Sequence, residues 1–116
     1  MSDDELDRKC AEAMGWTDVR ESPMGESDGM PPEPEGLREI IPSPTRNAAD
    51  FLALLEWHAR EGRFPSVHLS RRGNEWEGAI RGNFFPYCYA KERADTPLRA
   101  LAMATVAWAE GREEGR

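Results

Sequence analysis

Two histidines and two cysteines are the residues of this sequence best suited to nucleophilic or acid–base chemistry, and they are Cys10, His58, His68 and Cys88. His68 is predicted on a strand beside two serines, but a serine–histidine pair needs a third orienting group and an oxyanion hole, and the sequence shows neither. A reactive thiol needs surroundings that lower its pKa, and no motif here provides them. The sequence therefore predicts no catalytic residue, and both cysteines are expected to be reduced and partly buried.

Sequence motifs for cofactors and metals are absent. The chain contains no glycine-rich phosphate loop, no GxSxG motif and no HExxH motif. The two cysteines are too far apart to form a metal-ligand pair. The acids Asp3, Asp4, Glu5 and Asp7 lie close together but lack the spacing of a calcium loop, so they are interpreted as the solvated first turn of a helix. We expect no cofactor and no metal.

Cationic and aromatic residues are concentrated on the predicted strands and turns of the second half of the chain. They are Arg71, Arg72, Trp76, Arg81, Tyr87, Tyr89, Lys91 and Arg93. Arginine forks suit phosphate, and an aromatic ring can stack a base, so a small nucleotide could bind there. The alternative, which we favour, is that the charges discourage strand-edge aggregation and that the aromatic residues fill one buried sheet face.

The net charge of −7 is divided unevenly along the chain. Residues 1–44 contain twelve acids and four bases, whereas residues 45–116 contain ten acids and eleven bases. Nucleic-acid-binding domains usually carry a basic surface, so no nucleic-acid partner is expected. The acidic N-terminal region could steer a basic protein partner, or it could serve only to keep the protein soluble.

Hydrophobic spacing and turn residues predict one domain over residues 1–116. A helix is predicted over residues 4–16. It is followed by a long acidic loop, rich in proline and glycine, over residues 17–42. Residues 43–112 are predicted to form a compact body of helix, three antiparallel strands and helix.

The boundaries inside this body come from caps and turns. Ser43 and Pro44 are predicted to begin its first helix, and Thr96 and Pro97 its last. The three strands are predicted over residues 64–72, 75–81 and 84–91. The expected fold class is α/β (α+β), an α-β-α sandwich in which helices pack on a three-stranded antiparallel meander.

Several short motifs resemble those of the phage ABA-sandwich family, small proteins of bacteriophages and prophages. They are ELD with AMGW near the N-terminus, SPT with the following AA, WEGA in the hairpin, and Ala90 followed by ADTP before an alanine-rich helix. The similarity covers most of the chain but leaves out residues 17–42. It implies a layered α-β-α fold and a phage origin, and it carries over no catalytic or cofactor site.

Together these observations favour a non-enzymatic phage accessory protein that binds a protein partner, as host-takeover or anti-defence factors do. One alternative is a protein that binds nucleotide signals through the strand arginines. A second alternative is an unrecognised hydrolase or transferase whose polar groups converge only in the folded protein.

Membrane association is not expected. The N-terminus lacks the basic start and apolar stretch of a signal peptide, and the longest apolar run, residues 98–109, is too short to cross a bilayer. We therefore expect a cytoplasmic protein, located in the host cell if a phage encodes it. It is expected to be either a monomer or a homodimer.

Overall fold

The computed structural model describes residues 1–21, 26–32, 36–61, 66–81 and 88–113. Three helices and two three-stranded antiparallel sheets are present in these ranges, so the predicted mixed α/β sandwich is confirmed. The elements are α1 (Asp3–Ala13), β1 (Thr17–Glu21), β2 (Ser27–Met30), β3 (Glu39–Ile40), α2 (Ala48–Glu61), β4 (Ser66–Arg72), β5 (Glu75–Arg81), β6 (Cys88–Ala94) and α3 (Pro97–Glu113). We call β1–β2–β3 the small sheet and β4–β5–β6 the main sheet.

The main sheet is the meander predicted from the alternating pattern. β4 and β5 pair in unbroken register from Ser66 with Arg81 to Arg72 with Glu75. Gly73 in the connecting turn has a φ of 65°, a left-handed conformation that glycine adopts without steric cost. β6 begins at Cys88, later than the predicted third strand, and residues 84–87 of that prediction lie outside the described residues.

Helix α3 covers one face of the main sheet because Gly78 has no side chain. A Cβ atom at Gly78 would lie 2.7 Å from the carbonyl oxygen of Ala100, so only glycine lets the helix backbone come this near. Residues alternate between faces along a strand. Glu77 and Ala79 therefore lie on the opposite, outer face.

The core lies where the helices meet each other and the main sheet. One cluster of buried residues joins the three helices, and it consists of Leu6, Cys10, Leu54, Leu101, Ala102 and Val106. A second cluster joins α3 to the main sheet, and it consists of Ile80, Ala90, Ala104 and Trp108. The alanine-rich face of α3 thus packs in both clusters, which is why this helix contributes more buried residues than the other two described helices.

The predicted start of α3 is confirmed, whereas that of α2 is wrong. The Thr96 hydroxyl accepts a hydrogen bond from the Arg99 N–H at 3.1 Å. Residues 44–46 form a turn instead of helix, and α2 begins at Ala48. Asn47 caps this helix, because its side-chain oxygen accepts from the Asp50 N–H at 3.2 Å.

The prediction of a loop over residues 17–42 is wrong for most of the described part of this segment, because it contains the small sheet. Asp28 of β2 lies opposite Arg20 of β1 and Ile40 of β3. Arg38 connects these strands, since its Nε atom donates to Asp28 at 2.9 Å and its Nη1 atom to Asp18 at 2.5 Å. Charged contacts, which a hydrophobic pattern does not reveal, hold this sheet together.

Helix α1 is shorter than predicted. It ends at Ala13 instead of residue 16, and its N-cap is Ser2, whose hydroxyl accepts from the Glu5 N–H at 3.2 Å. Arg8 of this helix donates to the hydroxyl of Ser27 at 3.1 Å. This contact joins α1 to the small sheet, and together they form one side of the site described next.

Candidate functional site

Aspartates and glutamates of the N-terminal region differ in their ion pairing. Each described aspartate of residues 1–44 forms an ion pair with an arginine. The aspartates are Asp3, Asp4, Asp7, Asp18 and Asp28, and their partners are Arg20, Arg38, Arg46 and Arg99. The described glutamates of this region have exposed side chains and no ion pair among the described residues, and they are Glu5, Glu12, Glu21, Glu26 and Glu39. Its solvent-facing negative charge is therefore carried mainly by glutamates.

A cavity of about 280 Å³ lies between the first turns of α1, the small sheet and the turn before α2. Its lining residues are Asp4, Asp7, Glu26, Ser27, Ile40, Ile41, Ser43 and Arg46. Three carboxylates face one guanidinium, which gives a net charge of −2 when all are ionised. We call this the acidic cavity.

Asp7 forms the buried wall of the acidic cavity. Its side chain is 2% exposed, and one of its oxygens accepts from the Thr45 N–H at 3.2 Å and from the Thr45 hydroxyl at 2.9 Å. Its other oxygen pairs with Arg46 at 3.3 Å. Burial raises the pKa of the Asp7 carboxyl above its ordinary value, although the bonds from Thr45 and the charge of Arg46 act in the opposite direction.

The sequence prediction placed Asp7 in a solvated first turn, and that prediction is wrong. Asp7 follows Leu6 and precedes Cys10 by three residues, so it shares the buried stripe of α1. An acid within an apolar helical stripe was the signal that could have identified it.

Replacing Asp7 with alanine is expected to lower the free energy of unfolding by about 2 kcal/mol, because the Thr45 N–H and hydroxyl lose their buried acceptor. Asp7→Asn keeps an acceptor oxygen and buries no charge, so its cost should stay below about 1 kcal/mol. Urea denaturation followed by circular dichroism measures both. Equal losses for the two variants would contradict the assigned role of the Thr45 hydrogen bonds.

Two apolar residues at the end of strand β3 and just after it, Ile40 and Ile41, line part of the acidic cavity. Ile40 is 64% exposed, and Leu37, which precedes β3 by two residues and is not part of the cavity lining, is 74% exposed. β3 pairs with β2 on one side, and no described strand pairs with its other side. Exposed apolar side chains beside an open strand edge form a surface that another extended segment can pair with.

A second polar cluster lies on the outer face of the main sheet, and Glu77 is its centre. Three cationic groups surround this carboxylate: Arg93 Nε at 3.2 Å, Lys91 Nζ at 3.6 Å and Arg72 Nη2 at 3.8 Å. Their side chains cover Glu77, which is 2% exposed although it faces away from α3. Burial alone raises the pKa of Glu77, but the Arg93 hydrogen bond and the three charges lower it below its ordinary value. We call this the Glu77 cluster.

The other residues of the predicted ligand site are distributed differently. Arg81 lies on the outer face with Glu77, four residues further along β5. Arg71 and Trp76 are paired opposite each other on the face that meets α3, so Trp76 cannot stack a base held by the cluster. Tyr87 and the side chain of Tyr89 lie outside the described residues.

The residues considered for catalysis do not come together. His58 is buried in the core, where its Nε2 atom lies 2.9 Å from the Thr105 hydroxyl. Cys10 is also buried, and burial raises the pKa of its thiol, with the Asp7 charge adding to this effect. His68 is exposed on the outer face of the main sheet, and the side chain of Cys88 lies outside the described residues. In the described part of the chain, no three His, Cys, Asp or Glu side chains are grouped to hold a metal ion.

Comparisons with known proteins add no relative. No protein-family model matches the chain, and no curated protein is similar to it. The resemblance to phage ABA-sandwich proteins therefore stays a prediction from short motifs. Among the described helices, none is both long and apolar enough to cross a membrane.

Proposed function

We propose that this protein is a non-enzymatic binding protein that docks a basic, extended segment of a protein partner at the acidic cavity and the β3 edge. The observation that carries the proposal is the combination of a net charge of −2 in the cavity with the exposed side chain of Ile40 in its lining and that of Leu37 just before β3. This combination fits a partner strand that alternates cationic and apolar residues.

Each part of the surface has a separate role in this binding. A cationic side chain of the partner enters the cavity and pairs with Glu26, which has no ion pair among the described residues. Apolar side chains of the partner cover Leu37 and Ile40. The partner backbone pairs with the open edge of β3, which supplies affinity independent of sequence. The exposed glutamates of the N-terminal region raise the association rate with a basic partner.

The phage resemblance supports placing this partner in the cytoplasm of an infected bacterium. There the protein would act by occupying a surface of a host or phage protein, as a host-takeover or anti-defence factor does. Such a role needs no catalytic group, which agrees with the separation of His58, His68 and Cys10 in the fold.

A labelled short peptide of alternating arginine and valine tests the proposal by fluorescence anisotropy. Glu26→Lys changes the cavity charge by two units, so the peptide should bind at least about tenfold more weakly. Glu56→Lys makes the same substitution at an exposed position of α2 outside the cavity lining, and it should change affinity less than about twofold.

Two results would contradict the proposed function. One is the absence of saturable binding of the arginine–valine peptide at low salt, where charge attraction is strongest. The other is an equal loss of affinity in Glu26→Lys and Glu56→Lys, which would show attraction by net charge without a defined site. A peptide of alternating glutamate and valine serves as the probe that should not bind.

A further inference from the structure

The outer face of the main sheet contains a second polar cluster that the proposed function does not use. We propose that the Glu77 cluster binds the phosphate group of a small molecule, with Arg72, Lys91 and Arg93 as the binding residues and Glu77 as the residue that positions them. This site is independent of the acidic cavity, because different elements build it.

Charge balance is the first argument. Three cationic side chains surround one carboxylate, so the cluster has a net charge of +2. A phosphate monoester carries about −1.5 to −2 at neutral pH. The two charges therefore match, and a bound phosphate would neutralise the positive charge that Glu77 does not balance.

Exposure is the second argument. The side chains of Arg72 and Lys91 are 54% exposed and that of Arg93 is 56% exposed, although all three contact Glu77. Their remaining N–H donors are therefore open to solvent and to a ligand. Arginine presents several donors in a fixed plane, which suits the oxygens of phosphate.

Preorganisation is the third argument. Glu77 uses both of its oxygens, Oε1 for Arg72 and Lys91 and Oε2 for Arg93. Fixing long side chains before the ligand arrives removes part of the entropy cost of binding. Ser70 lies directly opposite Glu77 on β4, on the same outer face, and adds a hydroxyl group to this surface. The ordered β-strands beneath the cluster hold its members at fixed separations.

Isothermal titration with inorganic pyrophosphate and with ATP, both without metal, tests the site. Both probes should bind, with dissociation constants below about 1 mM at low salt. Lys91→Gln and Arg93→Gln should each weaken binding by about tenfold. Arg60→Gln removes an exposed arginine from α2, a helix that contributes no residue to the cluster, and should change affinity less than about twofold.

Glu77→Gln distinguishes a built site from general attraction to a basic surface. The substitution raises the net charge, so general attraction predicts tighter pyrophosphate binding. The proposed site predicts weaker binding, because the three cationic groups lose the carboxylate that positions them. A melting temperature within a few degrees of the wild type must accompany this result, and the exposed Lys91 and Arg93 variants test the site if Glu77→Gln does not fold.

Three outcomes would overturn the inference. The first is the absence of binding of both pyrophosphate and ATP. The second is tighter binding by the folded Glu77→Gln variant. The third is a single-stranded oligonucleotide that binds far more tightly than pyrophosphate, with an affinity that increases with its length, because that result would identify a nucleic-acid surface.

Discussion

Acidification from pH 7 to pH 4 is expected to reduce the free energy of unfolding by about 3 kcal/mol through His58 alone. The side chain of His58 is 1% exposed, and burial lowers its pKa from 6.5 to about 4. The rings of Trp57 and Trp108 lie against it, with centroids 5.0 and 5.5 Å away. A charged imidazole would be surrounded there by apolar rings.

Hydrogen bonding at His58 also favours the neutral imidazole over the protonated one. The Thr105 hydroxyl donates to the Leu101 carbonyl at 2.9 Å, so its oxygen accepts from the Nε2–H of His58. Nδ1 is then the nitrogen that a second proton would occupy, and it has no hydrogen-bond partner among the described residues. Protonation would therefore bury both a charge and an unsatisfied N–H.

The pH range of this effect follows from the two pKa values. The unfolded chain binds the proton below pH 6.5, whereas folded His58 binds it only below about pH 4. The contribution is therefore fully present above pH 6.5 and is lost as the pH falls from 6.5 to about 4.

Urea denaturation of wild type and His58→Gln across this pH range measures the effect. The glutamine keeps a donor for Thr105 but does not titrate, so its free energy of unfolding should change little between pH 6.5 and 5. His68→Gln makes the same substitution at the exposed histidine and is the matched control. Equal pH dependence in wild type and His58→Gln would contradict this prediction.

Replacing Gly78 with alanine is expected to lower the free energy of unfolding by about 2–3 kcal/mol. The added Cβ atom would lie 2.7 Å from the Ala100 oxygen and 2.9 Å from the Ala100 carbonyl carbon. Both atoms belong to the backbone, so no side-chain rotation relieves the clash and α3 must move away from β5. Urea denaturation followed by tryptophan fluorescence measures the loss.

Gly111→Ala is the matched control, because it makes the same substitution within α3. No atom lies within 4 Å of the position that its Cβ would occupy. Alanine favours helix over glycine, so this variant should be more stable by about 0.5–1 kcal/mol. A Gly78→Ala protein as stable as Gly111→Ala would show that α3 does not approach β5 as closely as described.

The sequence predicted those elements in which local signals and long-range packing agree. The β4–β5 hairpin combines strand alternation with a turn glycine, and Thr96 and Pro97 provide both cap and first turn for α3. The predicted start of α2 was wrong because the N–H and hydroxyl of Thr45 donate to Asp7 of α1, and Thr45 lies in a turn before the helix. Thr45 and Asp7 are 38 residues apart in the sequence, so a local sequence pattern gives no information about this contact.

The candidate sites were predictable to different degrees. Arg72, Lys91 and Arg93 were selected from the sequence, but their convergence on Glu77 depends on strand register, which charge and composition do not determine. Strand alternation could have shown that Arg71 and Arg72 lie on opposite faces. The acidic cavity was not predicted, because its walls come from separate elements, and one of them is a sheet whose short strands lack an apolar pattern.

The division between aspartates and glutamates in the N-terminal region makes its surface charge adjustable without loss of structure. The aspartates are engaged with arginines that connect the elements, whereas Glu5, Glu21 and Glu39 have no such contact among the described residues. Substitutions at the glutamates could change the strength, and even the sign, of the electrostatic potential at this surface. In the proposed docking function, partner choice could therefore change through substitutions at glutamates that form no ion pair among the described residues.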